Sequence, residues 1–187
     1  QMVRVERDGH EVKFSKRAGS YTTLRELFEE VGVDVTRYFF QMRKPEGHLV
    51  FDLDMALDES DKNPVYKVKY AHARMHSIFG RAGVEIDGFT ADGADLSLLS
   101  HDLERELIKQ LADFPGWVER AAEARAPHLL CDYLEQTAGA VNSWYHAGNP
   151  SQNPELSVLV EDEALRSARL VLARATAIVL ANGLRIL

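Results

Sequence analysis

Cysteine is all but missing. Cys131 is the only one in the chain, which excludes an internal disulfide and fits a reducing compartment. Long apolar runs are missing as well. No stretch approaches the roughly 18 residues that a bilayer-spanning helix needs, so no membrane segment is expected. The N-terminal residues do not read as a signal peptide, because Arg4, Glu6, Arg7 and Asp8 interrupt every apolar stretch. Internal repeats and low-complexity tracts are absent, and no nucleophile–base arrangement stands out. Metal ligands are sparse. His72 and His76 have the i, i+4 spacing that can hold zinc, but no third ligand is near in sequence, and a core or capping role competes. Asp52, Asp54, Asp58, Glu59 and Asp61 lack the glycine and regular spacing of a calcium loop and read as a solvated acidic turn. No bound metal is expected. Bulk positive charge is lacking too, since the formal net charge is −7. It is uneven: residues 1–44 carry nine Lys/Arg against seven Asp/Glu, and residues 45–187 carry 13 against 22. Any nucleic-acid contact in the larger part must come from a local basic face.

What is present divides near residue 60. Val3, Val5, Val12 and Phe14 alternate with charges, and Asp8-Gly9 is a two-residue turn signal, so a β-hairpin is predicted. It delivers Lys13, Phe14, Ser15, Lys16 and Arg17, three cations and a hydroxyl in five residues. Such a loop suits a group with several negative oxygens, and a solvated basic hairpin tip has the same composition. Thr23 and Glu26 form a capping box for a helix ending near Gly32. Asp34 is placed to cap the next helix, through Tyr38, Phe39, Phe40 and Met42, closed by Pro45-Glu46-Gly47. Residues 48–54 read as a short extended piece before an acidic helical turn. Asn63-Pro64 then starts a helix, and helical periodicity dominates to the end. Helices are expected over 64–82, 96–113, 115–125, 127–147 and 161–186, the last with a stripe of Leu165, Ala168, Leu172, Ala175 and Val179. The fold class is mainly α: a short N-terminal β-hairpin with helices, then an antiparallel helical bundle.

The helix from Pro64 has two faces that differ in kind. At 100° per residue Val65, Val68, His72, Met75 and Phe79 form the core stripe. The other side carries Tyr66, Lys67, Tyr70, Arg74, Ser77 and Arg81. Rings stack unpaired bases, and cations between them hold phosphates, which is the pattern for single-stranded loop RNA. Coverage of these tyrosines by another helix is the alternative. Tyr145, in Asn142-Ser143-Trp144-Tyr145-His146 at the end of a later helix, extends the platform unless both rings belong to the core. Cys131, between Leu130 and Tyr133, reads as inert core.

The Lys13–Arg17 loop resembles the KMSKS loop of class I aminoacyl-tRNA synthetases. The chain then resembles the arginyl-tRNA synthetases in an ordered set of stretches: Ser15-Lys16-Arg17-Ala18-Gly19, Arg37-Tyr38-Phe39-Phe40, Phe51-Asp52-Leu53-Asp54, Asn63-Pro64-Val65-Tyr66, Tyr70-Ala71-His72-Ala73-Arg74, Glu163-Ala164-Leu165-Arg166 and Leu180-Ala181-Asn182-Gly183-Leu184. Glu163–Arg166 is similar to the motif that names the DALR anticodon-binding domain, with Glu for Asp. Phe14 and Arg17 stand where the loop motif has methionine and serine, and Lys67 stands where an aromatic is common.

The resemblance implies that residues 1–60 end a class I catalytic domain and residues 61–187 form the anticodon-binding domain. It implies ATP-dependent joining of arginine to its tRNA through an arginyl-adenylate, with Mg2+ accompanying ATP and the protein in the cytoplasm as a monomer. Lys16 would stabilise the reacting phosphate and leaving pyrophosphate, with Lys13 and Ser15 supporting the loop and the nucleotide. Tyr70, Arg74 and Tyr145, with Tyr66 and Lys67 beside them, would meet the anticodon loop. The HIGH-type nucleotide motif of this class is absent, and the family continues past the position of Leu187, so the chain is expected to be a C-terminal part that does not activate arginine alone. Two other readings stay open: a same-class enzyme for cysteine or methionine, and a helical protein-interaction module whose tyrosine–arginine face meets a partner.

Overall fold

The structure, a computed structural model, describes residues 3–12, 23–44 and 46–187. Lys13, Phe14, Ser15, Lys16 and Arg17, and with them the phosphate-handling loop, lie outside the described residues, as does Pro45.

The hairpin is present. β1 (Val3–Arg7) pairs antiparallel with β2 (His10–Glu11), in the register Glu6 opposite Glu11 and Arg7 opposite His10. Asp8 and Gly9 connect them with φ of 52° and 71°, the doubly left-handed turn that Asp-Gly favours. The extended piece after residue 48 becomes β3 (Leu49–Asp52), which lies parallel to β1 with Val5 opposite Phe51. The hairpin is therefore one side of a three-stranded mixed sheet in the order β2-β1-β3. Four-residue strands carry no signal of which partner they choose, so the sequence could not supply this pairing.

α1 (Leu24–Val31) starts with the expected capping box between Thr23 and Glu26. α2 (Val33–Gln41) follows after one residue, Gly32, whose φ of 87° suits glycine alone. Gly32 and not Asp34 is its N-cap; Asp34 sits in the first turn, and Gly32 supplies the bend there. α3 (Leu53–Leu57) is the acidic turn, with the Asp52 carboxylate accepting from Met55 N–H at 2.9 Å and Asp54 accepting from Asp8 N–H at 2.6 Å. Two of the acidic residues thus have structural partners.

α4 (Pro64–Ala82) is capped by Asn63, whose Oδ1 accepts from Val65 and Tyr66 N–H at 3.0 and 3.3 Å. The expected 96–113 helix is split. A single 3-10 turn, Leu96–Leu98, is capped by Asp95, and α5 (Asp102–Ala112) starts afresh where the His101 ring accepts from Leu103 N–H at 3.3 Å. α6 (Phe114–Glu123), α7 (His128–Ala147) and α8 (Glu163–Ile186) complete the bundle, with a second 3-10 turn at Pro154–Leu156 between the last two. No helix among the described residues is long and apolar enough to cross a membrane.

The bundle packs around α4, α7 and α8. Met75, Ile78 and Phe79 of α4, Tyr133, Leu134 and Val141 of α7, and Ala173 and Leu180 of α8 are essentially inaccessible to solvent. The α4 core face is wider than the expected stripe: Ala71 and Ile78 join it, and His72 lies half-buried at its margin. On α8 the stripe shifts likewise, with Leu165, Ala175 and Val179 half-buried and Thr176, Ala177 and Gly183 inside. Both helices touch more than one neighbour, so the buried arc exceeds a single stripe. Gly183 is there for packing: a Cβ on it would come within 2.5 Å of a Leu134 methyl carbon.

One ion pair sits inside. Arg169 Nε donates to Glu104 Oε1 at 2.7 Å, and the two side chains are 4% and 2% exposed. Arg169 Nη1 also donates to the carbonyls of Glu155 and Ser157, each at 2.7 Å, and Glu104 Oε2 accepts from His101 N–H at 3.0 Å. Every strong partner is satisfied, as a buried charge pair requires. The network pins the segment between α7 and α8 onto the bundle.

Candidate nucleic-acid interface

α4 and α7 run side by side in the same sense, and their facing edges assemble a ladder of rings and guanidiniums. Tyr66 and Tyr70, one helical turn apart, stack with centroids 5.5 Å apart and planes 15° from parallel. The Arg74 guanidinium carbon lies 4.4 Å from the Tyr70 ring centre and 4.8 Å from that of Tyr145. Arg81 approaches Tyr145 at 5.8 Å and donates toward its hydroxyl at 3.4 Å. The order Tyr66, Tyr70, Arg74, Tyr145, Arg81 is continuous, and the Asn142 amide oxygen accepts from Arg74 Nη1 at 2.5 Å. The spacing is built in: Tyr66, Tyr70 and Arg74 are successive i, i+4 neighbours on α4. Tyr145 crosses from α7 because the pair Trp144-Tyr145 straddles the core boundary, with Trp144 buried and Tyr145 half-exposed.

Tyr70 is 41% exposed, so its ring is not covered by another helix. Lys67 departs from the others. It points along the α4–α7 seam, where its ammonium lies 3.8 Å from the position a Cβ on Gly139 would take. It also faces Glu135, whose carboxyl is held above its ordinary range, chiefly by burial, with Lys67 opposing the rise. Lys67 thus stands beside the ladder rather than in it.

Beyond Tyr145 the ladder opens into a groove of about 520 Å3 lined by Ile78, Arg81, Tyr145, His146, Asn149 and Val158, among others. Its size falls within the roughly 300–1,000 Å3 of small-ligand pockets. Its far wall is the segment held by Arg169. Gly148 lets that wall approach: a Cβ on it would fall 2.5 Å from the Leu156 carbonyl oxygen. Val158 and Arg81 escaped the sequence reading as groove residues; the polar Gly148-Asn149-Pro150 loop next to an exposed aromatic was the available signal. Arg166 is occupied structurally, donating to the Val160 and Glu161 carbonyls at 3.1 and 3.4 Å, while Asp162 caps α8. The Glu163–Arg166 motif therefore secures a helix start.

Cys131 is buried, and burial, with Glu135 and Asp132 nearby, pushes its thiol up to about 12. It is core, not nucleophile. His72 and His76 are tilted against each other with ring centres 4.6 Å apart, on the α8 side of α4 and away from the ladder.

The family model for the DALR anticodon binding domain matches residues 68–187. The chain is 48% identical over its full length to the arginine–tRNA ligase of Geobacter metallireducens, of which it covers 32%. It is 46% identical to the arginine–tRNA ligase of Bordetella avium, again over 32% of that protein. The solved arginyl-tRNA synthetase of Thermus thermophilus matches 91% of this chain at a TM-score of 0.69 and 32% identity, over 28% of its own length. The chain spans about a third of the length of the curated relatives it matches.

Proposed function

The chain belongs to the DALR anticodon binding domain family, and from that premise we propose that the tyrosine–arginine ladder holds the anticodon loop of a tRNA. The observation that carries this is the placing of Arg74 between the faces of Tyr70 and Tyr145, on an accessible edge shared by two helices. Unpaired bases stack on Tyr66, Tyr70 and Tyr145, the cations meet phosphates, and the groove beyond Tyr145 receives a base turned out of the loop. Lys67 supplies charge at the border. Residues 61–187 act as the anticodon-binding unit, and residues 1–60 as the end of a catalytic domain.

In the whole protein the reaction is arginine–tRNA ligation in the cytoplasm, in a monomer, with ATP and Mg2+. Lys16 supplies positive charge to the reacting phosphate, and Lys13 and Ser15 hold the loop and the nucleotide. The likeness to the arginine–tRNA ligases supports this assignment.

A gel shift with an arginine tRNA transcript and its anticodon-mutant counterpart tests the reading. The wild-type transcript binds tighter. Equal affinities would end the anticodon assignment. Arginine-dependent pyrophosphate exchange is expected from the full-length enzyme and not from this chain alone.

A further inference from the structure

α4 presents a second polar flank. His72 and His76, together with Arg174, Asn182 and Arg185 of α8 and Asp87 from the loop after α4, line a groove of about 210 Å3. Arg174 Nη2 donates to the Asp87 carbonyl at 3.1 Å, which fixes its guanidinium at the groove edge. Neither Arg174 nor Arg185 makes an ion pair with a carboxylate among the described residues. Two guanidiniums against the single Asp87 side chain leave the groove positive, in a chain whose net charge is −7. Lys69, the neighbouring cation on α4, is already engaged by Asp34 at 3.1 Å.

The groove and the ladder flank one strip of α4. At 100° per residue Ala73 and Gly80 fall between them, and both are exposed. Lys69 stands on the same strip one turn nearer the N-terminus, where Asp34 engages it; from Ala73 to Gly80 nothing larger than a methyl group projects from it. It is about one helix diameter wide, roughly 10 Å, a distance that a short run of RNA backbone crosses.

We propose that the α4–α8 groove is a phosphate site for the RNA strand that leaves the ladder. The strand crosses α4 over Ala73 and Gly80 and sets phosphate oxygens against Arg174 and Arg185, with an imidazole N–H of His76 beside them. The guanidinium fork matches phosphate oxygens in shape and charge. A backbone contact of this kind adds affinity and fixes the strand's direction without reading a base. The proposal rests on the ladder being an anticodon-loop platform.

The test is the Arg174→Ala/Arg185→Ala double variant, titrated with the arginine tRNA transcript and its anticodon mutant between about 50 and 200 mM salt. Both transcripts lose affinity by the same factor, roughly tenfold, and the slope of log K against log salt falls by about 1. The ratio between the transcripts is kept. The Arg174→Lys/Arg185→Lys variant, which retains charge, recovers most of the slope and shows that the loss is not one of folding. Unchanged affinity and slope in the alanine variant, with the wild-type anticodon preference intact, would overturn the groove. Absence of any anticodon preference in the wild-type chain would instead overturn the ladder reading beneath it.

Discussion

Arg74 shows why single residues on this surface carry unequal weight. Its guanidinium is shared between two tyrosine faces and the Asn142 amide, so removing it takes a spacer out of the ladder as well as a charge. Tyr70 is the more exposed ring, and stacking on it is worth about 1–3 kcal/mol per base. Tyr70→Ala is therefore expected to weaken tRNA binding by roughly 5- to 150-fold, read by fluorescence anisotropy, with thermal melting nearly unchanged. Arg74→Ala loses affinity and also flattens the salt dependence, as Tyr70→Ala does not. Arg169 is the opposite kind of residue. It is almost wholly buried, and Arg169→Met strands the Glu104 carboxylate and two carbonyls. The expected cost is about 3–5 kcal/mol, measured by urea denaturation. Replacing Glu104 and Arg169 together with apolar residues recovers part of that loss, because no unpaired charge then remains.

Elements were legible where the chain marks its own ends. Asn63-Pro64 begins α4 as expected because the Asn side chain satisfies two free N–H groups within three residues, a purely local event. The failure at residues 96–113 is also local: Asp95 and His101 each cap a separate turn, and helical periodicity in the apolar residues does not reveal the break. β3 fails for the contrary reason, since its parallel partner β1 lies more than 40 residues away. The wall of the large groove depends on close approach between backbones, which no motif announces. Gly148→Ala drives a methyl into the Leu156 carbonyl, so the segment at residues 154–158 must move outward. Stability is expected to fall by about 1–3 kcal/mol. Tyr145-dependent RNA binding weakens further than that loss accounts for, which a comparison of denaturation with anisotropy measures.

Across the whole molecule, pH acts through the α4–α8 groove. The His72 imidazole is held below its ordinary value, first by burial and then by His76; Arg174 and Arg185 stand in the same groove and Asp87 opposes them. In the unfolded chain His72 takes up a proton below about pH 6.5, which the folded chain resists. The unfolded state then binds more protons, so stability falls as pH drops from about 6.5 toward the depressed folded value, and His72 contributes nothing above that window. Denaturation midpoints at about pH 7.5 and about pH 5.5 should differ in that direction. His72→Gln narrows the difference, and an equal drop in the variant would assign the effect elsewhere.

Composition and periodicity by themselves determined a mainly helical chain, the two-faced α4, and the residue types suited to loop RNA, because caps, turns and helical faces are written in neighbours a few positions apart. The ordered stretches along the chain carried the likeness to a family. The tertiary structure decided which of those residues meet. It brought Tyr145 of α7 to Arg74 of α4, left Lys67 in the seam, set Arg169 and Glu104 together in the core, and placed two α8 arginines across from His72 and His76. Those juxtapositions join residues more than 100 positions apart at the widest, and they follow from which apolar faces bury one another, a choice that a local pattern cannot express.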